Sequence, residues 1–285
     1  MNFLNNILEY EFIRNAVWAA ILTGIVCGII GTYIVSKRSV FLSGGITHAS
    51  FGGIGLAYYF GINPLIGATL FAILSALGIE FASNKGKIRE DSAIGIIWSL
   101  GMAIGIIFIY MTPGYAPSMM NYLFGNILTV TDTNITFLAI FAIALILIFI
   151  FMGRPIMYVA FDREFSKSRG VPVERISYFM ATLTALAIVL CIRAVGIVLL
   201  ISLLTVPTVI VNTRIKSFDK IMIWASAVAI TGNLAGLYFS WLLNIPAGAA
   251  TIFLLAIFLI AVKLLPLYRN IKGVGNPRKN REKDS

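Results

Sequence analysis

Long apolar segments separated by short polar ones run through most of this sequence. They predict about nine membrane-spanning helices, within a range of eight to ten, at residues 14–35, 40–60, 64–83, 92–112, 134–152, 177–193, 196–211, 221–243 and 247–265. Each is close to the roughly 20 residues that a helix needs to cross a hydrocarbon layer of about 30 Å. Because lipid offers backbone groups no hydrogen-bond partners, we expect an all-α polytopic membrane protein.

Composition supports this prediction. The chain is 59% hydrophobic and 12% charged, whereas soluble domains are about a quarter charged. We expect residues 1–265 to form one transmembrane domain and residues 266–285 a basic tail near anionic lipid headgroups. The first 13 residues contain Glu9 and Glu11 but no basic residue, so they do not resemble a cleavable signal peptide.

Residues 177–211 are too long for one crossing and short for two. Arg193-Ala-Val-Gly196 supplies a break between them. Short or broken helices are tolerated at membrane depth only inside protein or along a watery cavity. We therefore expect this pair of segments in the interior of the protein.

The basic residues predict the orientation. With the spans above, 20 of the 22 Lys and Arg residues fall in segments on one side, and only Arg14 and Arg193 fall on the other. Cytoplasmic loops are rich in Lys and Arg, so the N-terminus is expected outside and the C-terminus in the cytoplasm. The formal charge of +10 then reflects topology and requires no nucleic-acid partner.

His48 is the single histidine of the chain, and it lies in the glycine-rich stretch SGGITHASFGG. On a helix, Gly44 and Gly52 share its face. In one interpretation the glycines admit a neighbouring helix and the imidazole hydrogen-bonds across the interface. In the other, this face belongs to a passage in which His48 is a transient ligand for a transition-metal ion. One histidine makes no complete site, but a symmetric dimer would supply two.

Glu80 is the other ionisable residue within a predicted span, about one turn from its cytoplasmic end. It either extends toward the loop, to Lys85 or Lys87, or serves as a carboxylate on an exit path. Three hydroxyl residues around Pro207 are further candidates to line the pathway, although helix-to-helix hydrogen bonding explains them equally well: Ser202, Thr205 and Thr208.

The segment AFDREFSKSRGVPVER, residues 160–175, has helix signals at both ends. Asp162 suits the N-cap, Glu164 the first turn and Gly170 a left-handed stop. We expect a two-turn helix outside the membrane with Phe165 exposed. It is either a plain surface loop or a docking element for a partner.

Motifs for catalysis are missing from the sequence. It contains no GxxxxGK[ST] phosphate loop, nucleophile elbow or zinc-protease motif. We therefore expect a chain that binds no cofactor and is not an enzyme.

Six motifs in order resemble the permease subunits of bacterial ABC importers for zinc, manganese and iron, over about residues 14–265. They are GGITHASFGGIGL (44–56), KIREDSAIGII (87–97), YLFGNILTV (122–130), AFDREFSKSRGVPV (160–173), RAVGIVLLISLLTVPT (193–208) and LLNIPAGAA (242–250).

The resemblance implies a homodimer in the bacterial cytoplasmic membrane, two ATPase subunits that bind ATP, and an extracytoplasmic metal-binding protein. Residues 160–172 match the coupling helix, with Asp162, Glu164, Phe165 and Gly170 at matching positions, and His48 matches the histidine of the metal pathway. Three positions that are often Asp in the family are Gly44, Asn126 and Asn244 here. These changes disfavour a carboxylate-rich manganese site.

We therefore expect an ABC permease that imports a divalent metal by alternating access, with zinc preferred over manganese and iron. Two alternatives stay open. One is import of a metal chelate such as an iron–siderophore, and the other is an ATP-independent channel or carrier. The sequence leaves the role of residues 113–133 undetermined.

Overall fold

The fold is seen in a computed structural model that describes residues 10–113 and 127–274. Within these ranges the chain is helical and has no strand. The elements are α1 (Glu11–Ser36), α2 (Val40–Tyr59), α3 (Pro64–Asn84), α4 (Glu90–Met111), a 3₁₀ turn (Ile127–Thr129), α5 (Asp132–Phe161), α6 (Arg163–Ser168), α7 (Val173–Asn212), α8 (Phe218–Leu243) and α9 (Ala247–Val274).

Eight of the described helices are long and apolar enough to cross a membrane. The sequence predicted about nine spans, and the difference lies in α7, a helix of 40 residues. Gly196 interrupts it with φ 78° and ψ 166°, a conformation that glycine adopts at no steric cost. The arms on either side are about 35 Å and 24 Å long at 1.5 Å per residue.

The two arms of α7 run in opposite directions between the ends of the bundle. Near the end of the first arm, Arg193 lines a small cavity together with Asn63 and Pro64 at the start of α3. Thr208 and Asn212, near the end of the second arm, line a cavity together with Lys37, at the opposite end. The chain thus turns back on itself within α7, and the predicted break at Gly196 is confirmed.

Charge separates clearly between the two ends of the bundle. Lys37 and Arg163 meet at one end, which we call the basic end. At the other end Asn15 donates a hydrogen bond to Asp132, and Arg193 donates one to Asn134. This is the separation that the loop charges predicted.

The interior of the bundle is formed mainly by α1, α2 and α7, whose spans are mostly buried. Helix α7 packs against α1, α2, α3, α5, α8 and α9, which confirms the interior position predicted for it. Small residues allow the closest helix pairs. A methyl group at Gly24 would meet Ile230 of α8, and one at Gly101 would meet Ala49 of α2.

The connection between α8 and α9 contains Asn244, one of the three positions where the sequence resemblance leads us to expect an acidic residue. Asn244 ends α8 in the left-handed conformation, with φ 52°. Asparagine tolerates this conformation better than most residues, which explains it as a helix stop. Another such position, Asn126, lies outside the described residues, as do most of the motif at 122–130 and the tail beyond residue 274.

Candidate functional site

His48 lies in the middle of α2 and is partly buried. Its ring stacks on the indole of Trp98 of α4, with centroids 4.5 Å apart and planes 7° from parallel. The Nδ1 atom is buried and has no hydrogen-bond partner among the described residues. The simpler sequence interpretation required a hydrogen bond across the interface, and Nδ1 does not make one here.

The glycines beside His48 differ from each other in their surroundings. A methyl group at Gly52 would lie 2.7 Å from the carbonyl oxygen of Gly101 and 3.0 Å from the ring of Phe71. Gly52 is therefore a packing position within this chain, because α3 and α4 fill that side of α2, and its role in lining a passage stays a prediction. At Gly44 the nearest atom would be in the Trp98 ring at 3.4 Å.

The three predicted hydroxyl residues do not form one continuous polar line. Thr205 donates to the carbonyl oxygen of Ile201 in its own helix, as threonines in helices commonly do. Thr208 is buried and its hydroxyl has no partner among the described residues. It lines the cavity of about 420 Å³ at the basic end. Ser202 is partly buried in the same arm of α7.

A complete metal site needs several ligand side chains close together. In the part of the chain that the structure describes, no group of three or more His, Cys, Asp or Glu residues is close enough to hold a metal ion. A single chain thus offers His48 as an isolated donor. This agrees with the sequence argument that one histidine makes no complete site.

The helix predicted at 160–172 is α6, with six residues. Asp162 is its N-cap, and its carboxylate accepts a hydrogen bond of 2.9 Å from the backbone N–H of Phe165. Gly170 follows with φ 74°. Both capping predictions are confirmed, and Glu164 is exposed in the first turn, where a negative charge suits the helix dipole.

Phe165 is 46% exposed on α6. Tyr158 contacts its ring edge-to-face, and the guanidinium group of Arg169 lies over it, 5.3 Å from the centroid. These contacts hold the aromatic ring in one orientation on the surface of the basic end. The predicted exposure of Phe165 is confirmed.

Glu80 has different partners from those predicted. Its side chain is 4% exposed and forms ion pairs of 3.1 Å with Lys37 and with Arg163. Asn84 donates a third hydrogen bond to it. Lys85 and Lys87 are exposed, so the expected extension of Glu80 toward them is wrong. The fold brings Lys37, which follows α1, and Arg163, the first residue of α6, to the end of α3, and this places two cations beside the carboxylate.

Lys37 remains charged in this environment. Burial alone would lower the pKa of Lys37, but the nearby Tyr33, Glu80 and Glu90 outweigh burial and raise that pKa above the usual lysine value. The ammonium group forms a second ion pair of 3.1 Å with Glu90. Lys37 therefore bridges the ends of α3 and α4.

Two features of the site were missed by the sequence interpretation. Trp98 gave only the signal of a tryptophan within an apolar span, which is also typical of a lipid-facing or core position. Lys37 and Arg163 were counted as loop charges for topology, and nothing in their spacing indicates that they share Glu80. The separations along the chain are 43 and 83 residues.

Together the fold and these two regions define a polytopic helical membrane protein with a short capped helix, α6, that exposes Phe165 at the basic end. Known proteins agree with this class. The manganese transport system membrane protein MntC of Halalkalibacterium halodurans is 32% identical over 262 residues, which are 90% of each chain. A Haemophilus influenzae protein named "Probable iron transport system membrane protein" is 30% identical, over 89% of this chain and 93% of its own.

A solved structure resembles this one closely. PsaBC from Streptococcus pneumoniae, in complex with a Fab, matches with a TM-score of 0.81 and 28% identity, over 91% of this chain and 94% of that one. The model of the ABC 3 transport family matches residues 9–265. The chain belongs to this family, which confirms the resemblance seen in the sequence. It is a multi-pass protein of the bacterial cytoplasmic membrane.

Proposed function

We propose that this chain is the permease subunit of an ABC importer for a divalent transition-metal ion. The observation that carries the proposal is Phe165, held exposed on a capped helix at the basic end. A rigid exposed aromatic residue of this kind suits a pocket on a partner protein. Family membership over residues 9–265 supports an ATPase as that partner.

The complex that we propose contains two copies of this chain, two ATPase subunits and an extracytoplasmic metal-binding protein. ATP binds to the ATPase subunits, and this chain binds no cofactor. Closure of the ATPase pair would move α6 and rock the spans by rigid-body rotation, which gives alternating access. Asp162, Glu164, Phe165 and Gly170 form the coupling element in this proposal.

For the transported ion we propose manganese as the first candidate, with zinc and iron next. The named manganese transport relative supports this order. The sequence argument favoured zinc, because Gly44, Asn126 and Asn244 replace acidic residues. His48 is the proposed metal-contacting residue of each copy, since an imidazole nitrogen is a ligand for divalent transition metals, weaker for manganese than for iron and zinc, and a dimer would provide two. Ser202, Thr205 and Thr208 are secondary pathway candidates, with Gly44 beside His48.

The test is metal uptake in proteoliposomes that contain the chain with its ATPase and its metal-binding protein. We expect manganese to accumulate only when ATP is supplied to the ATPase side. An ATPase variant that binds but does not hydrolyse ATP is the control, and it should abolish accumulation. Uptake of zinc and of ferrous iron, measured in the same vesicles, gives the order of preference among the three ions.

Two other outcomes would replace the proposal. Movement of metal down its gradient without the ATPase would indicate a channel or carrier. Uptake of an iron–siderophore chelate without uptake of free metal would indicate a chelate importer. The chelate alternative has one observation in its favour, because the described residues of a single chain hold no cluster of metal-binding side chains.

A further inference from the structure

Four charged side chains from four segments form one connected network at the basic end. Arg163 is the first residue of α6, Glu80 lies near the end of α3, Lys37 follows α1 and Glu90 begins α4. Three ion pairs connect them in this order, each with an N–O distance of 3.1 Å. The network has no net charge, since two cations face two carboxylates.

Glu80 is the buried centre of the network, and both of its oxygen atoms are used. Oε1 accepts hydrogen bonds from Arg163 and Asn84, and Oε2 accepts one from Lys37. A buried carboxylate is costly unless it is paired and fully hydrogen-bonded. Movement of Arg163 away from Glu80 would leave this carboxylate short of one partner, so the positions of α6 and α3 depend on each other.

At its other end the network reaches the helix that carries His48. Ser39 occupies the N-cap position of α2, but its hydroxyl makes no capping hydrogen bond there. It donates instead to Glu90, over 2.9 Å. Lys37 and Ser39 lie in the three-residue connection between α1 and α2, so both anchor the start of α2 to Glu90.

Arg163 connects α6 to a part of the chain that is distant in sequence. The helices against which α6 packs are α5 and α7, which precede and follow it directly in the chain. Arg163 by contrast binds a residue 83 positions away. Its side chain is 32% exposed, so it can be changed without opening the core.

We propose that the network Arg163–Glu80–Lys37–Glu90 transmits movement of α6 to the start of α2 and so couples ATP hydrolysis to opening of the His48 region. This inference rests on the proposed function. Arg163, Glu80, Lys37 and Glu90 are positioning residues in it, because they act through α2 and need not contact the metal. A coupling element requires two discrete arrangements, and in this proposal they are the paired network that the structure shows and a broken one in which Arg163 has left Glu80.

The test compares Arg163→Gln with wild type in the reconstituted complex. The measured quantity is the amount of manganese taken up per ATP hydrolysed. We expect this ratio to fall about tenfold, within the 5- to 150-fold range typical of coupling between sites, while the ATPase still co-purifies and hydrolyses ATP. Arg89→Gln is the matched control. Arg89 pairs with Asp91 on the surface, where both are largely exposed, and the ratio should stay at the wild-type value.

Two more variants separate transmission from simple stabilisation. Arg163→Lys keeps a cation beside Glu80 and should restore most of the ratio. Glu90→Gln breaks the far end of the network without touching α6, and it should lower the ratio like Arg163→Gln. Glu90→Gln also tests the network if Arg163→Gln does not fold. A purely structural role would lower the unfolding temperature and leave uptake per ATP unchanged.

The inference is overturned if Arg163→Gln and Glu90→Gln both keep the wild-type ratio. It is also overturned if Arg163→Gln loses the ATPase, because Arg163 would then be a docking residue. Failure of the proposed function looks different, since the wild-type complex itself would then show no ATP-dependent metal uptake.

Discussion

The imidazole of His48 lies flat on the indole of Trp98, 4.5 Å away between ring centroids and 7° from parallel. The contact joins the middle of α2 to α4 and fixes the plane of the only histidine ring in the chain. Because stacking uses only the face of the ring, the two nitrogen atoms of the imidazole can still form hydrogen bonds or bind a metal ion in the plane of the ring. The buried Nδ1 atom has no hydrogen-bond partner in the part of the chain described.

His48→Ala should reduce metal uptake to the background of vesicles without the permease. The reason is that the imidazole is the proposed metal contact, while its removal leaves the helix and the coupling element intact. Expression and ATPase co-purification should therefore match wild type. Ser50→Ala is the control on the same helix, because the Ser50 hydroxyl donates only to the carbonyl oxygen of Thr47 nearby. Uptake near the wild-type rate in His48→Ala would make His48 a packing residue.

Phe165→Ala should weaken ATPase binding and lower coupled transport. Truncation of an exposed aromatic anchor commonly costs about 2 kcal/mol or more of binding free energy, so the fraction of ATPase that co-purifies should drop at least tenfold. The unfolding temperature of the permease alone should hardly change, because Phe165 is 46% exposed.

Phe151→Ala is the matched control for this docking prediction. Phe151 is 80% exposed on α5, within the apolar span and away from the coupling element. It should keep the wild-type level of ATPase. Equal retention of the ATPase by both variants would remove the docking role of Phe165.

Gly170→Ala should destabilise the stop of α6 through the backbone alone. Gly170 has φ 74°, and nothing lies within 4 Å of the added methyl group. Alanine in the left-handed backbone conformation costs about 1–2 kcal/mol of conformational free energy. Hydrogen exchange at residues 163–170 should accelerate accordingly. Gly170→Asn should be milder, since asparagine adopts this conformation more easily.

Gly95→Ala is the comparison for Gly170→Ala. Gly95 is exposed in the helical backbone of α4, and a methyl group there also meets nothing within 4 Å. Alanine in a helix is better than glycine by about 0.5–1 kcal/mol, so thermal unfolding should occur at the same or a higher temperature. Equal exchange rates in the two variants would contradict the strain argument.

Gly52→Ala should lower the thermal stability of the detergent-solubilised protein. The methyl group would crowd the carbonyl oxygen of Gly101 at 2.7 Å and the Phe71 ring at 3.0 Å, and overpacking typically costs about 1–3 kcal/mol. Gly44→Ala faces Trp98 at 3.4 Å and should be tolerated. Loss of uptake with unchanged stability in Gly52→Ala would instead indicate that Gly52 lines the passage.

Local signals in the sequence were sufficient for much of the fold. Asp162 as N-cap, Gly170 as the left-handed stop and the break at Gly196 were all predicted. Each depends on a residue and its immediate neighbours, so no knowledge of the packing is needed. The separation of charge between the two ends followed in the same way, from the length of the spans and the positions of Lys and Arg.

What surrounds each helix was decided only by the tertiary structure. The helices are apolar on nearly all sides, so periodicity does not indicate which face of α2 receives α4. The sequence therefore suggested an open face at Gly52, where Gly101 and Phe71 in fact pack.

The same limit applies to the charges. Span lengths and loop composition by themselves determined the all-helical membrane fold and the charged end, because those signals are local and add up along the chain. Only the tertiary fold placed Lys37, after α1, and Arg163, at the start of α6, beside Glu80 of α3. Contacts between residues so far apart in sequence depend on how the helices are rotated and positioned against one another.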